Sequence, residues 1–228
     1  MVYYIDSDYI KMIVNLSNTM KGVVCSMSIK EVKLNYIIDV ATGMMLNTSI
    51  SEVTIKDIAK QAGIGEATMY RYFSKKENIL LGVAMKLMNT VLIDYSSYDS
   101  KSSGYEKMKS FYSNYLRIFN HHPEFFKFIS ELDGYMIENK LDSIEIYENG
   151  VDKFKKIFDG LYKEGVEDGS IREIENLDLF YFSSTHALIE LCKKKAVVND
   201  VLLQDKVSNR SGEISCLINI ILNYLKRL

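Results

Sequence analysis

The chain has 228 residues, of which 47% are hydrophobic, so it can bury a sizeable core and is not a disordered chain. Its formal net charge of −2 excludes gross basicity, and any contact with nucleic acid must come from a local patch. Three widely spaced cysteines (Cys25, Cys192, Cys216) with no C-x-x-C exclude a disulfide frame or a cysteine zinc site, and fit a reducing cytosol. No apolar run reaches the roughly 18 residues a membrane span needs. Asp6 and Asp8 stand where a signal peptide would be basic, so a soluble, cytoplasmic chain without membrane contact is expected.

Residues 1–27 read as an N-terminal extension. Tyr9, Met12, Ile13, Leu16 and Met20 fall at helical spacing, which suits a short extra helix, although Met27 is an alternative natural start. A helix follows over about 29–46, with Ile37, Val40, Ala41 and Met44 on one face, and Asn47-Thr48-Ser49 supplies a turn. Thr54 and Asp57 form a T-x-x-D start, and the helix it opens turns Ile55, Ile58, Ala59 and Ala62 inward before Gly63 stops it. A short helix, Glu66 to Phe73, comes next. Ser74 and Glu77 then predict a capping box opening a helix through about Tyr95, and Ser103 and Glu106 predict another. Amphipathic helices are expected at about 105–120, 123–139, 143–167, 177–197 and 210–227, with a polar loop over 199–212. Pro123 sits at a first helical position, where its missing N–H costs nothing. No strand alternation is strong, so the fold class is all-α.

Two helices of about eight residues around a glycine turn are the sequence form of a helix-turn-helix. Ala59, Ala62 and Gly63 allow close approach, and Ile58, Ile64, Met69 and Phe73 lock the second helix down. Glu66, Ala67, Thr68, Tyr70, Arg71 and Tyr72 are left for the outward face, which enters the major groove in such motifs. Arg71 can pair with guanine, Thr68 and Ala67 can meet a base edge or thymine methyl, and Tyr70 and Tyr72 can bond phosphates.

The stretch resembles the DNA-binding domain of the TetR family of bacterial transcriptional regulators. The residues carrying the resemblance are Ile37-Ile38-Asp39-Val40-Ala41, Thr54, Ile58-Ala59, Ala62-Gly63-Ile64-Gly65, Thr68-Met69-Tyr70, Tyr72-Phe73, Lys76-Glu77 and Ile79-Leu80. Gly65 replaces the family's usual serine and removes a side-chain cap from the second helix; Met45 replaces a phenylalanine, and Ser49 a glycine. The resemblance implies that Thr54, Ile55 and Lys56 lie beside the DNA backbone at the start of the motif's first helix. It implies that Glu66, Ala67, Thr68, Tyr70, Arg71 and Tyr72 read the operator, with Lys76 as a phosphate anchor. Residues 51–80 carry five basic residues against four acidic ones, which predicts weak non-specific DNA binding and reliance on base contacts and dimerisation.

The expected domains are thus 1–27, the helix-turn-helix domain 28–75, and a helical ligand-binding and dimerisation domain 76–228, the last by analogy with the family. For a homodimer interface the last two helices offer Phe180, Ser184, Ala187, Leu188 and Leu191, with Ile214, Leu217, Ile218, Ile221, Leu222 and Leu225. Sixteen tyrosines without a tryptophan suit a pocket of rings with polar tips, for a largely apolar or aromatic inducer not identified by the sequence. Its expected lining is Met108, Tyr115, Phe119, Phe126, Ile129, Tyr147, Phe154 and His186. His186 and Glu190, four apart, read better as an interface pair than as metal ligands. No catalytic, metal or cofactor motif occurs, so no cofactor and no enzymatic activity are expected.

The expected function is a homodimeric repressor that leaves a near-palindromic double-stranded operator when ligand shifts the helix opening at Ser74. A regulator controlled by a protein partner is the alternative within DNA binding. An enzyme containing a similar hairpin is disfavoured by the lack of a catalytic constellation, and a helical adaptor because Tyr70, Arg71 and Tyr72 would be idle there.

Overall fold

The computed structural model describes residues 28–95, 97–140, 145–197 and 209–227. Among the described residues the regular elements are helices: α1 (Ile29–Asn47), α2 (Ile55–Gln61), α3 (Glu66–Tyr72), α4 (Lys76–Tyr95), α5 (Gly104–His121), α6 (Pro123–Glu138), α7 (Glu145–Glu167), α8 (Leu177–Val197) and α9 (Arg210–Leu225). The all-α expectation holds. The expected helix in residues 1–27, the link at 141–144 and most of the 199–212 loop lie outside the described residues.

The chain divides into two compact units. One takes the chain up to Thr90 together with Glu131–Gly150, and the other takes Val91–Ser130 and Val151–Leu228.

In the first unit, Ser28 caps α1 through a complete box: its hydroxyl accepts from the Glu31 N–H at 3.2 Å, and Glu31 accepts from the Ser28 N–H at 2.7 Å. The S-x-x-E spelling of residues 28–31 is the local signal for it. α1 buries Leu34, Ile37, Ile38, Ala41 and Met45, while Val40 and Met44 are only half-buried. Ile58, Met69 and Phe73 are fully buried as expected. Each such side chain contributes about 2 kcal/mol of hydrophobic stabilisation.

The expected Ser74–Glu77 box does not form. α4 starts at Lys76, the Ser74 hydroxyl accepts from the Asn78 side chain at 3.1 Å, and the Glu77 carboxylate accepts from the Tyr135 hydroxyl at 2.9 Å. A tertiary partner takes the carboxylate that the local pattern assigned to the cap. At α5, Ser103 accepts from the Glu106 N–H at 3.3 Å, and that one side of the predicted box is what caps the helix.

The second unit is built on rings. Phe111 and Tyr112 meet edge to face at 5.3 Å between centroids, and Phe158 lies 4.9 Å from Tyr181. Gly104 and Gly165 bring α5 and α7 so close that a methyl group on Gly104 would collide with the Gly165 backbone. The Asp168 carboxylate accepts from the Gly104 N–H at 2.7 Å, and Ser170 accepts from Tyr105, so the turn after α7 caps α5 from outside. An isolated antiparallel bridge between Ile171 and Lys226 ties the same turn to the end of α9.

Candidate nucleic-acid interface

The reading head is assembled by caps and one turn. Thr54 donates its hydroxyl to Asp57 at 2.5 Å, and the Asp57 carboxylate also accepts from the Thr54 N–H at 3.1 Å. These bonds hold the Asp57 carboxyl below its ordinary value of 3.8, with Lys60 and Lys56 adding to the effect. The box fixes the entry angle of α2. It also engages the Thr54 hydroxyl proton, while Lys56 and Lys60 of α2 stay exposed.

α2 ends where Gly63 adopts φ +67°, a left-handed conformation that favours glycine. Ile64 N–H donates back to Ala59 O at 3.0 Å, closing the turn. Gly65 then caps α3 with extended backbone and no side-chain hydrogen bond, as its replacement of serine predicts.

Every residue expected on the outward face of α3 keeps accessible surface. Glu66, Ala67, Tyr70 and Arg71 are exposed, and Thr68 and Tyr72 are half-buried around the inward Met69. Tyr70 is 55% exposed, with its ring and hydroxyl both open to a partner. The Arg71 guanidinium rests 5.6 Å above the Tyr72 ring, so its fork is presented on a flat support. Ile55 is half-buried, and Lys56 stands 3.8 Å from Glu66. Lys76, the expected phosphate anchor, makes a contact inside the head. It is half-buried and its ammonium donates to the Ile50 carbonyl at 2.5 Å, so the charge is engaged within the head; burial lowers its pKa.

Of the expected pocket lining, Met108, Phe119 and Phe126 share one buried cluster of the second unit, with Tyr115 and Phe154 packed against it. Ile129 is buried as well, outside that cluster. His186 is exposed, its ring 5.7 Å from Phe182, and so lies outside the cluster. Tyr147 lies outside the described side chains. Among the described residues no three His, Cys, Asp or Glu side chains gather as a metal site.

The expected dimer stripe lies mostly inside the protomer. Ser184, Leu188, Ile214, Ile218, Ile221, Leu222 and Leu225 are buried in its own core, and Phe180, Leu191 and Leu217 are half-buried against it. Ala187 is exposed. The apolar side chains left outside include Leu179 (62% exposed), Phe182 (44%), Ile220 (61%) and Tyr224 (50%). Both stripes were present in LDLFYF and LINIILNYL, and the more continuous one belongs to the core.

The geometry so far is a capped helix, a glycine turn and a second helix with an exposed Tyr-Arg face. Residues 37–83 match the family model of the bacterial regulatory proteins of the tetR family. The chain carries a TetR-family DNA-binding domain. It is therefore a DNA-binding regulator. The fatty acid metabolism regulator protein of Bacillus subtilis (strain 168) is 26% identical over 148 residues, 63% of this chain and 73% of that protein. The HTH-type transcriptional repressor KstR2 of Mycolicibacterium smegmatis is 24% identical over 147 residues, 64% of this chain and 70% of that one. The crystal structure of FadR from Bacillus subtilis in complex with stearoyl-CoA has the same fold at a TM-score of 0.59 and 19% identity, over 83% of this chain and 98% of that one. FadR from Bacillus halodurans gives 0.62 and 19%, over 83% and 94%. No helix among the described residues is long and apolar enough to cross a membrane.

Proposed function

We propose that this TetR-family protein is a dimeric repressor whose α3 reads a near-palindromic operator, and that an apolar ligand of the long-chain acyl class releases it. The DNA-reading part of the proposal is carried by the exposed Tyr70 and Arg71 on a helix whose other face is locked by Met69 and Phe73. A helix locked from behind needs no backbone ordering to present these side chains, and each then loses about 0.5–1.5 kcal/mol of rotamer freedom on meeting DNA.

The ligand assignment draws on the second unit. Burial pushes the phenols of Tyr98 and Tyr181 up to about 12, and those of Tyr112 and Tyr115 well up. Tyr112 satisfies its hydroxyl on Ser184 at 2.7 Å. Tyr115 is half-buried and packs against the same ring cluster. Apolar rings with a few hydroxyl tips suit a long hydrocarbon body carrying one polar group. The likeness to a fatty acid metabolism regulator, and to a protein crystallised with stearoyl-CoA, points the same way. For release, the ligand must prefer the DNA-incompetent state by a coupling of about 1–3 kcal/mol.

The dimer face we assign is the exposed set Leu179, Phe182, Ile220 and Tyr224, with Ala187 among them. Two such faces would meet as a four-helix arrangement.

The test uses a duplex that the full chain selects from a randomised pool. Stearoyl-CoA should displace the protein from it, and coenzyme A alone should not. Equal displacement by coenzyme A alone, or none by acyl chains of any length, would overturn the ligand assignment and leave DNA reading intact.

A further inference from the structure

The segment 48–54 links α1 to α2 and ends at Thr54, the cap that sets the angle of the helix-turn-helix. At its centre Ile50 is buried, and both of its peptide groups are held by side chains from elsewhere in the same unit. Its N–H donates to the Glu131 carboxylate on α6 at 2.7 Å. Its carbonyl accepts from the Lys76 ammonium at the first position of α4 at 2.5 Å. The Lys76 ammonium also lies 5.5 Å from the centroid of the Tyr135 ring on α6, and Tyr135 donates its hydroxyl to Glu77 at 2.9 Å. Side chains from two helices thus hold the N–H and the carbonyl of Ile50, with the Tyr135–Glu77 pair bonded beside Lys76.

That arrangement is specific in a way ordinary loop packing is not. A buried peptide group needs a partner, and secondary structure normally supplies one. Here a charged side chain is spent on each side of Ile50, and charge-assisted bonds of this kind are about twice as strong as neutral ones. The Lys76 site also lies in the motif where the resemblance implies a phosphate contact.

We propose that Glu131 and Lys76 are positioning residues for operator reading, which hold the Ile50 peptide and through it set α2 and α3 in DNA-reading register. The proposal rests on the DNA-binding function and adds residues that touch no base. It also makes the Glu131–Tyr135 stretch of α6 the element whose displacement would loosen the reading head.

The free protein tests this first, by amide hydrogen exchange. Glu131→Ala and Lys76→Met, the latter keeping the aliphatic stem, should each speed exchange of the amides of 50–58 by about tenfold, leaving the buried turns of α1 unchanged. Glu131→Gln keeps an acceptor for the Ile50 N–H and should stay near wild type. Operator affinity is then measured against salt on the duplex selected by wild type. Both disrupting variants should bind about tenfold more weakly with an unchanged salt slope, because no phosphate contact is lost. A fall in slope of about 0.9 for Lys76→Met, with Glu131→Ala silent, would make Lys76 a phosphate anchor and overturn the clamp. Unchanged exchange in both variants would overturn it too. If wild type selected no duplex, DNA reading itself would fail, and the exchange result alone would decide the clamp.

Discussion

The Lys56 ammonium stands 3.8 Å from a Glu66 carboxylate oxygen, joining the first turn of α2 to the first turn of α3. Both side chains are largely exposed, so the pair contributes well under 1 kcal/mol to stability. Its consequence is electrostatic: one of the cations of the reading head is partly neutralised. Glu66→Gln should leave the unfolding midpoint unchanged and strengthen binding to random-sequence DNA at low salt, steepening the salt slope by about one unit. Salt titration of a non-specific duplex measures both. An unchanged slope would mean that Lys56 does not face DNA.

The close approach of α5 and α7 predicts a large cost for a small change. Gly104→Ala puts a methyl group into the Gly165 backbone, which neither helix can yield without shifting. The loss should be about 3 kcal/mol, seen as a lower denaturation midpoint for the second unit. Gly43→Ala, whose added methyl meets nothing within 4 Å, is the control and should be neutral or slightly stabilising.

Asp168 gives a pH prediction with a definite sign. Hydrogen bonds from Ser170 and from the Gly104 N–H hold its carboxyl below the ordinary 3.8. A depressed folded-state pKa means the stabilisation is complete above about pH 4 and fades as pH falls through the lower folded value. The stability advantage of wild type over Asp168→Asn should therefore be constant at neutral pH and shrink on acidification below about pH 4. Because the group is largely open to solvent, the effect is modest. Urea melts at a series of pH values would show it.

For assembly, Phe182→Glu or Ile220→Glu should give a folded monomer, because each side chain is exposed in the protomer. Light scattering with circular dichroism separates the outcomes. Leu188→Glu should unfold the second unit instead, since Leu188 is fully buried. A dimer that survives Phe182→Glu and Ile220→Glu would move the interface elsewhere.

What could be read from the sequence follows the range of the interactions. The Thr54–Asp57 box and the Gly63 turn close within five residues, and the local pattern is enough to place them and the inward Met69 and Phe73. Glu77 does not follow its local pattern, because Tyr135, 58 positions away, competes for its carboxylate. The Ile50 clamp has no local signature at all: Glu131 is 81 residues from its partner. The stripe of α8 and α9 divides between core and surface for another reason. A helix apolar on two faces gives no phase, and the choice between core and exposed face needs the packed structure.

The most direct test of the central claim is selection of duplexes from a random pool by wild type and by Tyr70→Ala and Arg71→Ala. Both side chains are exposed, so neither variant should lose stability. Wild type should enrich a motif with two-fold symmetry and half-sites about one or more helical turns apart. Arg71→Ala should bind that motif about 10–100-fold more weakly and lose preference at one base pair in each half-site. Enrichment of the same motif with unchanged affinity by both variants would contradict the assignment of α3 as the reading helix.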